Sequence, residues 1–144
     1  DIHDPPSEFS GAFDVVLGFF VLHHIRDLDR SFLAMSRLLK PGGRMVFIEP
    51  NAYNPLFYLQ IAVTPGMTWA GDGGLVRMKR DVIFGAMTRA GLGGLQLHRF
   101  GFFPPFLANL RWGAALESLF ERVPFLYPFL PFQLFSAERP ITGQ

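Results

Sequence analysis

Cysteine is absent from the 144-residue chain. That removes disulfides, thiolate zinc sites and cysteine nucleophiles together, and it fits a reducing, cytoplasmic compartment. Charge is scarce as well: Asp, Glu, Lys and Arg make up 17% of residues, against roughly 25% in an average soluble domain. Neither sign prevails, with 13 basic and 12 acidic side chains for a net charge of +1, so the basic footprint of a nucleic-acid binder is missing. Val123–Ala137 is uncharged for 15 residues but holds three prolines, and about 20 apolar residues are needed to span a bilayer. Asp1–Ser10 is polar and proline-rich, so no secretory leader is expected in this stretch. An aspartate where translation would place methionine predicts a fragment or a processed product. What the chain does have is apolar mass, with 49% hydrophobic residues and 17 phenylalanines. Its length bounds it to one domain, residues 1–144. Such a chain builds a core readily; its difficulty is hiding apolar surface.

The stretch that organises the chain is Phe13–Pro50, FDVVLGFFVLHHIRDLDRSFLAMSRLLKPGGRMVFIEP. Phe13–Leu17 is a short apolar run with β-branched residues, as expected for a strand buried on both faces of a parallel sheet, and Gly18 ends it. Asp27 can cap a following helix whose apolar positions Leu28, Phe32, Met35 and Leu39 recur at four, three and four residues. Pro41 stops that helix, Gly42-Gly43 turns the chain, and Met45–Ile48 is a second buried strand. Strand, crossover helix and parallel strand form one right-handed βαβ unit. Ligands of open α/β sheets sit beyond the carboxyl ends of the strands. Here those ends are Gly18–His24 and Glu49–Asn51.

FDVVLGFFVLHHI, a helix, and then LLKPGGRMVFIEP together resemble the fourth strand, fourth helix and fifth strand of class I S-adenosylmethionine-dependent methyltransferases. The resemblance covers about a third of the chain directly, and the following segments keep the family's order. It implies a partial Rossmann-like α/β fold: strands four to seven with flanking helices, the last strand antiparallel and at or near the sheet edge. It also implies S-adenosylmethionine as cofactor, with the family's glycine-rich loop lying outside these residues. Gly71–Gly74 and Gly91–Gly94 are glycine-dense, but neither joins a buried strand to a helix as a cofactor loop must. An acidic residue about a dozen positions before the FD pair lies near the adenine in the family. Asp1, with Ile2 after it, falls one residue out of step with that spacing, and Asp4 competes. By the same resemblance Gly18, Phe19, Phe20 and His23 wrap the cofactor.

His23-His24 raises the questions of metal and base. Neighbouring histidines on a turn do not readily aim at one ion, and no carboxylate-rich stretch lies nearby, so no metal is expected. His23 could deprotonate an acceptor atom, since imidazole exchanges its proton near neutral pH. The simpler alternative packs one histidine against the cofactor and uses the other to cap the helix. Glu49, at a strand end, would face the mouth of the site and orient a substrate or the cofactor's amine. Asn51, Tyr53, Asn54, Tyr58 and Trp69 could line an acceptor pocket, on a segment with a short helix over Pro55–Val63. Arg80–Ala90 reads as a helix and Leu95–Phe100 as a strand in which His98 is half-buried.

The insertion 101–131 is rich in aromatics and proline, with a helix over Leu107–Val123. It reads as a cap on the acceptor site. An interfacial membrane contact is the competing account, and Glu117 and Glu121 weigh against it. Gln133–Arg139 closes the fold as the final strand. The function implied is methyl transfer to a small or lipid-like acceptor. The alternative from another class is a non-catalytic α/β interaction or membrane-surface module. A sheet edge left open would favour a homodimer.

Overall fold

The computed structural model describes residues 2–102 and 109–141. Strand β1 (Phe13–Phe19) runs parallel to β2 (Leu39–Pro50), with Val16 opposite Met45 and Gly18 opposite Phe47. Between them α1 (Leu28–Leu38) starts where Asp27 Oδ1 accepts the backbone N–H of Arg30 at 3.0 Å. That satisfies one of the orphan donors of the first turn. The helix buries Leu28, Phe32 and Met35, the predicted stripe. The chain is already extended at Leu39, and the Pro41–Gly43 corner is taken up as a register irregularity early in β2.

Then follow α2 (Pro55–Val63), the single turn α3 (Trp69–Asp72), a 3₁₀ turn (Gly73–Arg77), α4 (Arg80–Arg89) and β3 (Gly93–Phe100). Gly91 ends α4 at φ 77°, the left-handed conformation glycine adopts without penalty. After α5 (Gly113–Glu121) and a 3₁₀ turn (Tyr127–Phe129), β4 (Phe132–Glu138) completes the sheet. The strand order is β1–β2–β4–β3. Strand β4 is antiparallel to both neighbours, as expected, but β3 occupies the edge and β4 sits inside. In that interior position Phe135 and Ala137 are fully buried, opposite Phe47 and Met45 of β2.

One face of the sheet carries the core. Met45, Phe47, Phe135 and Ala137 meet Phe32 and Met35 of α1 and Ile83, Ala86 and Met87 of α4. Arg89 of α4 donates to Asp29 of α1 at 2.7 Å across the solvent side of that layer. The opposite face is only partly covered among the described residues, with Phe57 of α2 reaching Phe132, so β1 is not buried on both sides as its composition predicts. Val15, Leu17 and Phe19 are exposed because no helix among the described residues packs over them. His98 is likewise exposed rather than half-buried.

Part of the 101–131 insertion, residues 103–108, lies outside the described residues, and with it the start of the helix expected from Leu107. The remainder folds onto the end of β3. Glu121 accepts from Gly101 N–H at 2.6 Å, Glu117 from Phe102 N–H at 3.0 Å, and Phe102 stacks on Phe120 at 4.6 Å. These acids therefore act inside the chain rather than as a solvated face. Among the described residues no helix is long and apolar enough to cross a membrane.

Candidate active site

The two strand ends singled out by the sequence are locked together by one carboxylate. Glu49 is fully buried, and its Oε1 accepts the backbone N–H groups of Val21 at 2.8 Å and Leu22 at 2.7 Å. Its Oε2 lies 2.7 Å from Nδ1 of His23, itself only 9% exposed. Glu49 thus gathers three donors within reach of its two oxygens, and a carboxylate offers acceptors to all of them. Facing a carboxylate, His23 Nδ1 is the donor of this bond, and in the neutral imidazole Nε2 is then the acceptor atom. The arrangement corrects the expectation for Glu49, which is consumed under the loop and does not face the mouth.

Local backbone features build this loop. Phe20 takes φ 51°, uncommon for a non-glycine residue, while its N–H donates to Ile48 O at 2.8 Å. The chain is thereby turned into the 3₁₀ turn Leu22–His24. Gly18 belongs to β1 rather than ending it, and a Cβ there would overlap the Phe47 ring. Close strand packing is what this glycine supplies. Phe19 and Phe20 are 61% and 44% exposed, forming an apolar shelf beyond the strand end. Asp1 lies outside the described residues. Ile2 is exposed, and its neighbour His3 ties that segment to α1 through Ser31 Oγ at 2.8 Å. Asp4 lines a cavity of about 240 Å³ with Pro5, Pro6 and Arg37 on that side.

The proposed acceptor residues divide. Asn51 is fully buried, and its Nδ2 donates to Pro128 O and Leu130 O, both at 2.8 Å. Asn54 caps α2 through Leu56 N–H and donates to Phe129 O. Both clasp the 128–130 segment onto the end of β2 and the start of α2. Tyr58 donates to Ala52 O at 2.7 Å and stacks on Trp69 at 6.3 Å, while Tyr53 and Trp69 remain about half exposed. Burial pushes the Tyr58 phenol above its usual pKa. A cavity of about 30 Å³, room for a water or a methyl group, is lined by His23, Pro50, Phe57, Ile61, Met67, Asp72 and Leu75.

Two features were not singled out from the sequence. Gln133 and Arg99 sit in register beside Glu49, extending a polar row across β2, β4 and β3 at their site-facing ends. Gln133 Nε2 donates to Pro50 O at 3.0 Å, and the Arg99 guanidinium lies within 6 Å of the Tyr53 and Tyr127 rings. Asp72 comes beside both His23 and His24, one ligand atom of each lying within 4.8 Å of the others. Neither histidine caps α1, since Asp27 does.

Known proteins match this geometry at the level of fold. A methyltransferase of Thermotoga maritima, described as a possible histamine N-methyltransferase, aligns with a TM-score of 0.65 at 13% identity, over 96% of this chain and 60% of its own. Phosphoethanolamine N-methyltransferase 2 of Haemonchus contortus, solved with S-adenosyl-L-methionine, gives 0.54 at 17% identity over 91% and 34%. Among curated proteins, a polyketide synthase-nonribosomal peptide synthetase of Pyricularia oryzae is 36% identical over 77 residues, 53% of this chain and 2% of that one. A highly reducing polyketide synthase of Aspergillus luteorubrus is 32% identical over 94 residues, 60% of this chain and 3% of its own. The chain thus spans a small part of its curated relatives. The family model described as a methyltransferase domain matches residues 2–96, which contain both strand ends, the Glu49–His23 pair and Asp72. The chain belongs to the methyltransferase-domain family.

Proposed function

We propose that this chain forms the acceptor-activating half of an S-adenosylmethionine-dependent methyltransferase site, with His23 as the base and Glu49 as its positioning residue. The observation that carries this reading is the 2.7 Å bond between the fully buried Glu49 and His23 Nδ1. It leaves Nε2 as a fixed proton acceptor beside a small cavity. Phe19 and Phe20, the exposed shelf at the end of β1, fit the apolar parts of S-adenosylmethionine and would hold it. When bound, that cofactor supplies an electrophilic methyl group on a sulfonium sulfur.

The residues of this chain then do three things. His23 Nε2 takes a proton from the acceptor, which suits a nucleophile protonated at neutral pH, such as a hydroxyl or an acidic C–H. Glu49 holds the imidazole in one tautomer and stabilises the imidazolium that forms. Pro50, Phe57, Ile61, Met67 and Leu75 keep water from the transfer region. Their apolar character supports a small or lipophilic acceptor. So does the likeness to polyketide synthases.

The test is calorimetric titration of the complete protein with S-adenosylhomocysteine, followed by turnover. His23→Ala should bind the product cofactor within about twofold of wild type while kcat falls about 10²- to 10⁴-fold. Unchanged kcat in His23→Ala would remove the base. No cofactor binding by the wild type would leave the α/β interaction module as the better account.

A further inference from the structure

The free lone pair on His23 is not alone. His24 Nδ1 lies 3.2 Å from Gly71 O, and a carbonyl oxygen only accepts, so this imidazole too carries its proton on Nδ1. With Nδ1 of each ring engaged, Nε2 is the atom that each neutral imidazole would offer to a metal. The rings lie 4.0 Å apart and tilted by 44°, which relieves the objection that neighbouring histidines diverge. The carboxylate missing from the local sequence arrives from a distant loop. One ligand atom each from His23, His24 and Asp72 lies within 4.8 Å of the other two. A tetrahedron with bonds of about 2.1 Å has edges of about 3.4 Å, within reach by side-chain rotation.

The loop that brings Asp72 is fixed in place. Asp72 Oδ2 accepts from Thr68 N–H at 2.9 Å while Thr68 Oγ1 accepts from Gly71 N–H at 3.0 Å, so one carboxylate oxygen is tethered and the other is left for an ion. A Cβ on Gly74 would overlap the carbonyl oxygen of His23, so only glycine lets this loop press so close. Arg77 donates to Arg26 O at 2.9 Å and to His23 O at 3.3 Å, clamping the two turns together. Behind His23 stands Glu49, in the place of the carboxylate that commonly orients a metal-bound imidazole.

We propose that His23, His24 and Asp72 form a binding site for a divalent transition ion of the zinc class. Two imidazoles and one carboxylate, with no thiolate, select such an ion over magnesium or calcium, which take oxygen ligands. Three protein ligands would leave a fourth position for water or another ligand, and His23 and Asp72 also line the small cavity. The consequence rests on the methyl-transfer reading: an ion on His23 Nε2 takes the lone pair that would receive the acceptor's proton, so zinc inhibits transfer.

The 144 residues hold no cysteine and only two other histidines, His3 and His98, so substitutions within the cluster report whether zinc binds there. Zinc is titrated into the complete protein in competition with a chromophoric chelator of micromolar affinity. One equivalent should bind, with affinity at least tenfold weaker in His24→Ala and in Asp72→Asn, and about 10- to 100-fold weaker in Glu49→Gln. His98→Ala should leave it unchanged. His24 is exposed and Asp72 partly so, so these variants keep the fold, which thermal melts followed by circular dichroism verify. No zinc captured by the wild type, or equal affinity in wild type, His24→Ala and Asp72→Asn, overturns the site. Loss of turnover that fails to track His23 would overturn the base while leaving zinc affinity untouched, so the two failures are distinguishable.

Discussion

Asn51 follows the end of β2 with both amide hydrogens and one side of its Oδ1 already engaged. Its amide donates to Pro128 O and Leu130 O, its Oδ1 accepts from Tyr53 N–H at 3.1 Å, and none of it reaches solvent. Removing the amide strands buried carbonyls, each costing about 1–3 kcal/mol. Asn51→Ala should therefore lower unfolding stability by about 3 kcal/mol in urea titration, with S-adenosylhomocysteine affinity unchanged. A large change in acceptor KM at unchanged stability would instead restore it to the substrate site. Tyr58 gives a pH-dependent counterpart. Burial raises its phenol above the ordinary value of 10.0. Since the folded pKa exceeds the unfolded one, the contribution of its bond to Ala52 O is complete below pH 10 and is lost as pH climbs through the folded value. Tyr58→Phe should be less stable than wild type by about 1 kcal/mol at pH 7. Melting curves of the two proteins should converge above the phenol's titration. A constant difference across that range would show that ring packing, not the hydroxyl, sets the effect.

At the scale of elements, the site is the product of two close approaches made by glycine. Gly18 lets β1 press on the Phe47 ring, and Gly74 lets the 3₁₀ turn over Gly73–Arg77 press on the carbonyl of His23. The first obstacle is a side chain that has nowhere to move in a packed core; the second is backbone. Gly18→Ala should cost about 1–3 kcal/mol of stability, as overpacked cores do, read in chemical denaturation. Gly74→Ala should disturb His23 more than the global fold. Its signature would be a shifted imidazole resonance of His23 by NMR with the melting temperature nearly kept, and an unmoved resonance would sink that account. These contacts also explain what the sequence could and could not reveal. The βαβ unit was legible because apolar spacing, the Asp27 cap and the turn at Pro41–Gly43 are local signals. So were α2 and α4, whose predicted spans match to within a residue. The Glu49–His23 bond, the arrival of Asp72 and the alignment of Gln133 with Arg99 are not local. They depend on which residues face one another across strands and loops, and no spacing rule along one chain encodes that. The partners of Asn51 and Asn54 at 128–130 lie across the fold, so these bonds leave no local signal either.

Among the described residues the sheet is packed by helices mainly on one side. Helices α1 and α4 cover Met45, Phe47, Phe135 and Ala137, while the opposite face presents Val15, Leu17 and Phe19 at 48%, 60% and 61% exposure beside Val46 and Ile48. Parallel strands of this composition are stable when both faces are covered. Fully burying an aliphatic or aromatic side chain contributes about 1.5–3 kcal/mol, so three half-exposed ones leave several kcal/mol unrealised on one strand. The same strand is an edge, with unpaired backbone groups along its outer side. The Thermotoga maritima structure accommodates 96% of this chain in 60% of its own length, so much of that fold has no counterpart in these residues. Isolated as 144 residues, the chain should therefore meet a second copy along β1. Light scattering after size exclusion should give a mass near twice the 16.2 kDa of one chain, rising with concentration. Leu17→Lys should shift it toward monomer by placing a charge on the shared face. It should do so without loss of helical signal, because Leu17 contributes nothing to the core on the other side. A clean monomer at high concentration, or a dimer indifferent to Leu17→Lys, would mean that the apolar face is tolerated in water and that β1 is not where the chain finds its partner.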